Sequence, residues 1–262
     1  MAQPLITIRD LRKQYLNGKE VNEVLKGIDL DIYPGQIIGY IGPNGAGKST
    51  TVKILSGIIS DYAGEITVLG HNLRTDSYEI KKRIGYVPEN GAIYDTLTPN
   101  EYIGFIGTLF GIDTRILEPR MKQLLNYFDM EKHANQRMDT FSKGMKQKIL
   151  IIAGIINNPD ILFLDEPLSG LDANSVILVK EMLIRLAAEG KTIFYSSHLM
   201  DVVEKISHRI ILINNGNVLA DGSFDELKTD KAGTLEKLFA QLTGKEDVDF
   251  NTDVLLKAFE EN

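Results

Sequence analysis

The segment at residues 37–55, IIGYIGPNGAGKSTTVKIL, constrains the fold of this chain more than any other stretch of its sequence. Apolar residues typical of a buried strand precede Gly42, and apolar residues with helical spacing follow Lys48. Between them the chain reads GPNGAGKST, which satisfies the pattern G-x-x-x-x-G-K-[ST]. The sequence therefore predicts a strand–loop–helix unit whose loop binds phosphate.

The expected chemistry of this loop follows from its residue types. Glycines let the backbone curl so that successive N–H groups point at phosphate oxygens, and the start of the next helix adds its positive end. We expect Lys48 to reach the β- and γ-phosphates of a nucleotide and the Ser49 hydroxyl to ligate Mg²⁺. The alternative is a glycine-rich turn that binds no ligand. The predicted nucleotide-binding residues of this loop are Gly42, Pro43, Asn44, Gly45, Ala46, Gly47, Lys48, Ser49 and Thr50.

A second motif, PDILFLDEP, begins at residue 159. Residues 161–164 are apolar on both faces, as in a central parallel strand. Asp165 and Glu166 follow at the carboxyl end of this strand, where open α/β sheets bind ligands. Two adjacent carboxylates repel each other in a dry site unless a cation keeps both ionised. We therefore expect Mg²⁺ at Asp165 and an attacking water at Glu166; the alternative is a pair of solvated acids.

Apolar periodicity along the chain predicts the order of the secondary structure. The predicted strands are 5–9, 24–32, 36–41, 65–69, 84–88, 161–165, 191–196, 209–214 and 217–220. The predicted helices are 48–58, 101–110, 117–128, 144–157, 174–188, 199–206 and 234–242.

This order predicts an α/β fold with a mainly parallel sheet and an antiparallel β subdomain at the N-terminus. The strand signal vanishes between about 95 and 155, which predicts a helical subdomain inserted between two strands of the core sheet. We assign residues 1–232 to one nucleotide-binding domain and residues 233–262 to a short helical tail.

Composition excludes some classes of function. The net charge of -7 argues against broad nucleic-acid binding, which needs a cationic face. The chain has no cysteine, which excludes disulfides, cysteine nucleophiles and thiolate metal sites. Its N-terminus lacks the plan of a signal peptide, and its longest apolar runs are far shorter than the ~20 residues of a spanning helix. We expect that the chain does not cross a membrane by itself.

Five motifs follow one another in the order GPNGAGKST, FSKGM, ILFLDEP, SGLD and SSH. This set resembles the ATP-binding subunit of ABC transporters over about residues 5–222. The resemblance implies a P-loop NTPase core that hydrolyses ATP with Mg²⁺ and works as a head-to-tail dimer, with two ATP molecules between the subunits. The dimer would be a homodimer or a pair of related subunits. The resemblance also implies a separate membrane-spanning transporter subunit that holds the chain at the cytoplasmic face of the membrane.

The segment DTFSKGMKQK, residues 139–148, carries three lysines and opens a predicted helix. By the resemblance, Ser142 and the Gly144 backbone bind the γ-phosphate of the ATP held by the Lys48 of the other subunit. The N–H groups at a helix start favour an anion, which is consistent with this role. The alternative is a solvated basic helix start.

Further roles come from the resemblance one residue at a time. Tyr15 matches the aromatic residue on which adenine stacks, His198 the histidine that contacts the γ-phosphate, and Asp172 the residue that couples the two active sites. The alternatives are a core tyrosine and a structural histidine. Glu166 matches the general base, so Glu166 and His198 are the predicted catalytic residues.

Two departures from the family pattern concern the site. The usual serine-glycine-glycine-glutamine reads Ser142-Lys143-Gly144-Met145 here, and Glu89 stands where the family usually has glutamine. A carboxylate can still ligate Mg²⁺, so the predicted metal residues are Ser49, Glu89 and Asp165. The added negative charge is expected to sharpen the dependence on Mg²⁺.

These features favour a subunit that energises an ABC membrane transporter. The segment GTLEKLFAQLTGKED, residues 233–247, resembles the short ending of ATPases that serve exporters, and an importer subunit is the closest rival. The alternative from another class is a soluble ABC-type ATPase that acts on a cytosolic assembly, such as iron–sulfur cluster biogenesis. A nucleotide-binding switch without turnover is disfavoured because Glu166 and His198 are both present.

Overall fold

The structure is a computed structural model that describes residues 3–18, 20–89, 91, 93–228 and 234–243. Its strands are β1 (Ile6–Asn17), β2 (Glu20–Ile32), β3 (Ile37–Ile41), β4 (Ala63–Val68), β5 (His71–Asn72), β6 (Ile84–Val87), β7 (Ile161–Asp165), β8 (Thr192–Ser196), β9 (Arg209–Asn214) and β10 (Asn217–Gly222). Its helices are α1 (Lys48–Leu55), α2 (Ser77–Lys81), α3 (Pro99–Leu109), α4 (Thr114–Tyr127), α5 (Lys143–Ile155), α6 (Ala173–Ala188), α7 (Met200–Ile206), α8 (Phe224–Leu227) and α9 (Leu235–Leu242).

Two sheets organise these elements. One has the order β2-β1-β4-β5 and its strand pairs are antiparallel. The other has the order β10-β9-β3-β8-β7-β6, and all its pairs are parallel except β9 with β10. Helices α3, α4 and α5 lie in the chain between β6 and β7. The predicted fold class, a mainly parallel core sheet with an antiparallel N-terminal sheet and a helical insertion, is confirmed.

The core lies on both faces of the six-stranded sheet, because every residue of β3, β7 and β8 is buried. Successive side chains of a strand point to opposite faces. Accordingly, Phe163 and Phe194 join the apolar cluster beneath α1 and the antiparallel sheet, while Leu164 and Tyr195 join the cluster beneath α5, α6 and α7. Such two-sided burial explains the continuous apolar runs of the sequence.

The register of the parallel strands places the predicted site. Asp165 pairs with Ser196 across β7 and β8, and Tyr40 of β3 also pairs with Ser196. The loop after β3, the carboxylates that end β7 and the segment after β8 therefore emerge at one edge of the sheet.

Several element boundaries differ from the prediction. The hairpin of β1 and β2 is longer than predicted because register shifts, one of them around Asp10 at φ 46, break the apolar alternation. Helix α1 ends at Leu55 rather than at residue 58, close to Gly57 at φ 70. The short elements β5, α2 and α8 were not predicted, because two to five residues carry too little periodicity.

Helix α9 packs its buried Leu235 and Leu238 into the same apolar cluster as Val202 and Val203 of α7. Residues 244–262 of the predicted tail lie outside the described residues, and the domain boundary at 232 stays a prediction. Within the described ranges, no helix combines the length and the apolar character that crossing a bilayer requires.

Candidate functional site

The loop between β3 and α1 has the conformation that its glycines allow. Gly45 and Gly47 have φ of 81 and 108, which L side chains rarely adopt. A Cβ at Gly42 would collide with the carbonyl oxygen of Ile213, so this position also needs glycine. Because Gly47 has no side chain to cap α1, the first N–H groups of the helix are left for an anion.

Lys48 is the first residue of α1 and is largely buried, at 8% exposure. Its ammonium donates to the carbonyl oxygens of Gly42 at 2.7 Å and Pro43 at 3.2 Å. Burial lowers the pKa of Lys48, and the negative charges of nearby carboxylates, Glu166 foremost, oppose this shift. The ammonium is thus held at the loop, beside the residues that would surround a phosphate.

The Asp165 carboxylate joins the loop to the core sheet. It is 2% exposed, and its Oδ1 accepts hydrogen bonds from Ser196 Oγ at 2.7 Å and Ser49 Oγ at 2.9 Å. A buried carboxylate needs such partners to compensate for the loss of water. The same Ser196 hydroxyl accepts from the N–H of Glu166 at 3.2 Å. Both acids are therefore positioned through one serine.

Glu166 and His198 form a pair at the same edge. His198 Nδ1 lies 2.8 Å from Glu166 Oε2, and the backbone N–H of His198 lies 3.3 Å from this oxygen. The backbone of Glu166 has φ 48, so its side chain is aimed by an unusual turn directly after the strand. Burial raises the pKa of Glu166, and His198 opposes this shift through its charge and its hydrogen bonds.

A cleft of about 580 Å³ brings many of the predicted residues together. It is lined by Asn22, Val24, Asn44, Gly45, Gly47, Lys48, Ser49, Thr50, Glu89, Glu166 and His198. Glu89 lines this space from the segment after β6, and its predicted place at a metal stays a prediction. Gly42, Pro43 and Ala46 belong to the same loop but do not line the cleft.

The donor set of the cleft fits Mg²⁺. The Ser49 hydroxyl and the Asp165 carboxylate are in contact, Glu89 lines the same space, and all three offer the hard oxygen ligands that Mg²⁺ prefers. Among the described residues, no group of three or more acidic, histidine or cysteine side chains forms a complete metal site by itself. The remaining ligands would have to be phosphate oxygens and water, as is usual for Mg²⁺ at nucleotides.

Apart from Asp165 and the three residues of the phosphate loop just named, four predicted residues lie outside the lining of this cleft. Tyr15 is 41% exposed and carries the Lys13 ammonium 4.7 Å from its ring centroid, while its partner across the hairpin, Asn22, does line the cleft. Ser142 caps α5 by accepting from the N–H of Met145 at 3.2 Å. The other two are Gly144, in the first turn of α5, and Asp172.

Asp172 lies at the start of α6 and caps it. Its side chain accepts from the N–H and the hydroxyl of Ser175, at 3.0 Å and 2.6 Å. These bonds lower the pKa of Asp172. The structure therefore assigns Asp172 a capping contact within its own chain, and its predicted coupling role stays a prediction.

Sequence reasoning missed Ser196, Asn22 and Val24. Ser196 is buried and donates to Asp165, and its signal was present in the SSH motif at the end of β8, two residues before the predicted contact residue His198. Asn22 lies in residues 20–23 of β2, which were not predicted to be a strand, whereas Val24 begins the predicted strand 24–32. Both line the cleft because of how the hairpin packs, which no local pattern indicates.

Sequence comparisons identify the family of this chain. The family model described as "ABC transporter" matches residues 25–169. An uncharacterised ABC transporter ATP-binding protein of Nostoc sp. is 39% identical over 85% of this chain and 68% of its own length. The ABC transporter ATP-binding protein NatA of Bacillus subtilis is 33% identical over 90% of this chain and 96% of its own. A Nod factor export ATP-binding protein of Cupriavidus pinatubonensis is 33% identical over 87% and 69%.

Solved structures share the fold. The structure of an ATP-binding subunit of an ABC transporter matches with a TM-score of 0.83 and 29% identity, over 91% of this chain and 99% of that one. A dimeric structure of a bacterial ABC transporter cassette matches with a TM-score of 0.77 and 27% identity, over 83% and 98%. The chain therefore belongs to the ABC transporter family, as an ATP-binding subunit with an ATPase domain.

Proposed function

We propose that this chain hydrolyses ATP as one half of a two-subunit sandwich, and that the cycle drives export through a membrane-spanning partner. The observation that carries the proposal is the convergence of Lys48, Glu166 and His198 on one cleft at the carboxyl edge of the parallel strands. Ligands of open α/β sheets bind at this edge.

The chain's own residues suffice to assign the steps of hydrolysis. Lys48 exchanges its two carbonyl partners for phosphate oxygens, and Ser49, Asp165 and Glu89 are the residues that would hold Mg²⁺. When bound, the metal neutralises charge on the β- and γ-phosphates. Glu166 takes the proton of a water whose oxygen bonds to the γ-phosphorus, the bond from this phosphorus to the β–γ bridging oxygen breaks, and ADP leaves with that oxygen. The raised pKa of Glu166 suits a base that works near neutral pH. His198 holds the Glu166 carboxylate in position through the 2.8 Å contact.

The dimer is supported by the place of Ser142 and Gly144. Both lie at the start of α5 and neither lines the cleft of its own chain, so a phosphate that they bind would belong to a second copy. The Ser142 oxygen accepts from Met145 N–H, which leaves the hydroxyl proton free to bind a phosphate oxygen. A related cassette is dimeric. A two-fold interface of this kind is self-complementary.

The membrane partner is supported by an apolar groove of about 440 Å³ beside the helical insertion. The groove lies next to the Glu89 segment and is lined by Ser56, Ile58, Lys81, Ile84, Gly85, Tyr86, Pro88, Gly91, Tyr102, Ile106, Phe110, Leu150, Ala153 and Gly154. Phe105 and Leu109 are exposed on α3 beside Ile106, so apolar surface extends past the groove. Exposed apolar patches of this kind are typical of protein–protein and membrane interaction sites.

We assign this groove to a cytoplasmic segment of the membrane-spanning subunit, which would hold the chain at the cytoplasmic face. Because the groove lies beside Glu89, a movement caused by partner binding in the groove would be transmitted to the nucleotide cleft. Export is favoured over import because one relative is an ATP-binding protein of Nod factor export.

Replacing Glu166 by Gln tests the base and the dimer together. We expect kcat to fall by about 10²- to 10⁴-fold, the usual contribution of a general base, while ATP still binds. With Mg-ATP the variant should elute as a dimer in size-exclusion chromatography. The control is Glu166→Gln combined with Lys48→Ala, which should neither bind ATP nor dimerise. A Glu166→Gln protein that stays monomeric with Mg-ATP would contradict the sandwich.

Removing the imidazole in His198→Ala should change the pH dependence of hydrolysis. His198 lowers the pKa of Glu166 against the effect of burial, so its loss lets this pKa rise further. Because the base must be ionised, the acid limb of the kcat/KM profile should move to higher pH. His198→Gln, which keeps a hydrogen-bond donor, should shift the limb less. An acid limb that stays in place or moves to lower pH would show that His198 does not act on Glu166.

Replacing Glu89 by Gln tests the Mg²⁺ site. Glu89 adds a negative charge to a cleft that already holds Glu166, so the variant should need about tenfold more Mg²⁺ for half-maximal ATPase rate, by the Coulomb energy of one charge near the metal. A Mg²⁺ titration measures this shift. Glu118→Gln, an exposed change of the same charge on α4, should leave it unchanged. Equal Mg²⁺ requirement in wild type and Glu89→Gln would remove Glu89 from the metal site.

Replacing Ile58 by Asp tests the membrane partner. Ile58 lines the groove and is 54% exposed, so a charge there should block docking without unfolding the chain. We expect the tagged wild type to co-purify with a multi-spanning protein from detergent-solubilised membranes, and Ile58→Asp to lose it. Ile184→Asp, at 48% exposure on α6, is the matched control. Recovery of a soluble assembly instead would favour the cytosolic alternative.

A further inference from the structure

We propose that Lys143 is a positioning residue for hydrolysis, because it fastens the loop that begins with Glu166 to the start of α5. This loop spans residues 166–172 and is called the Glu166 loop below. The inference rests on the proposed function and assigns a role to a residue that stands where the family usually has glycine. Glycine could not make the side-chain contact described here.

The side chain of Lys143 lies across the loop. Its ammonium donates to Ser169 Oγ at 3.0 Å. Its aliphatic stem covers Gly170, since a Cβ at Gly170 would lie 2.9 Å from Cδ and 3.0 Å from Cγ of Lys143. Gly170 has φ 76, so the loop turns under the stem in a conformation that favours glycine. One residue of α5 thus holds two consecutive residues of the loop.

Two more contacts join α5 to the Glu166 loop. The backbones approach so closely at Gly144 that a Cβ there would lie 2.7 Å from the carbonyl oxygen of Gly170. Gln147, which is 3% exposed, donates its side-chain amide to the carbonyl oxygen of Pro167 at 3.2 Å. The first turns of α5 therefore contact the loop near both of its ends.

Contacts within the loop connect Ser169 to Glu166. The N–H of Ser169 donates to the carbonyl oxygen of Glu166 at 3.1 Å, and the N–H of Leu171 donates to that of Leu168 at 3.3 Å. The backbone of Glu166 is in the left-handed region, which depends on its surroundings to persist. Freeing Ser169 should therefore widen the range of orientations of the Glu166 carboxylate.

Lys143 differs from the other two lysines of its segment. Lys146 donates to the Asp95 carboxylate at 3.3 Å and Lys148 to the carbonyl oxygen of Phe128 at 3.3 Å, both away from the Glu166 loop. Within the part of the chain that the structure describes, Lys143 makes no ion pair, and its partner is a neutral hydroxyl. Exposed hydrogen bonds of this kind add little to stability. A role in positioning explains the contact better than a role in folding.

The position of this contact connects the two sites of the proposed dimer. The start of α5 would face the nucleotide of the second copy, whereas Glu166 serves the nucleotide of its own chain. If the start of α5 shifts when it binds the phosphate of the second copy, the Lys143 contact would move Ser169 with it. The hydrogen bond from Ser169 N–H to the Glu166 carbonyl oxygen would then bring Glu166 into position. Each base would then become active only when the opposite site is filled.

The test is a double-mutant cycle between Lys143→Met, which keeps the stem and removes the ammonium, and Ser169→Ala. Each change should lower kcat about three- to tenfold, the scale of one ordinary hydrogen bond, because this bond is exposed, with KM changed less than about twofold. The double variant should be no slower than either single one. Lys143→Arg, which can still donate to Ser169, should restore most of the rate. Lys132→Met, an exposed change of the same kind, is the control and should match wild type.

A second measurement does not depend on turnover. Backbone amide exchange of the 168–171 segment in the nucleotide-free protein should be faster in Lys143→Met and in Ser169→Ala than in wild type. Unchanged exchange, additive losses in kcat, or a raised KM with unchanged kcat would each overturn the proposal. The last result would mean that Lys143 binds nucleotide rather than positions Glu166. Failure of the proposed function would be seen separately, as ATP hydrolysis that survives Glu166→Gln.

Discussion

The buried carboxylate of Asp165 is the interaction on which the rest of the site depends. It accepts from Ser49, at the start of the helix that follows the phosphate loop, and from Ser196, at the end of the neighbouring strand. A charge that is 2% exposed is tolerated only because these donors are in place. The phosphate loop, the carboxylates at the end of β7 and the segment that leads to His198 are therefore held in one arrangement.

The charges of the cleft show why a nucleotide with its metal suits this arrangement. Glu89 and Glu166 line the same cleft as the Lys48 ammonium, and Asp165 lies close to it. Carboxylates therefore outnumber the lysine, and burial lowers the pKa of that lysine. Mg²⁺ would satisfy the carboxylates, and the phosphates would satisfy Lys48 and the N–H groups of the loop. The acidic composition of the chain thus fits a phosphate site, because that site consists of backbone donors and one lysine rather than of a cationic surface.

The start of α5 also carries basic residues, but its lysines differ from Lys48 in what they contact. Its lysines are bound to a hydroxyl, a carboxylate and a carbonyl oxygen of their own chain. The segment is therefore more than a solvated helix face, since these contacts join α5 to the Glu166 loop and to its neighbours. If Ser142 and Gly144 meet the nucleotide of a second copy, the same helix start contacts the machinery of both sites, which is the physical basis for coupling between them.

The sequence by itself determined the features that depend on neighbouring residues. Motif spacing predicted the phosphate loop, and the apolar run before Asp165 predicted a central strand with acids at its carboxyl end. The sequence could not predict the hairpin extension that brings Asn22 to the cleft, the hydrogen bond from Ser196 to Asp165, or the contact of Lys143 with Ser169. Only the tertiary structure decided these, because each joins residues that strand register and helix packing bring together, and such long-range contacts leave no periodic signal in the chain.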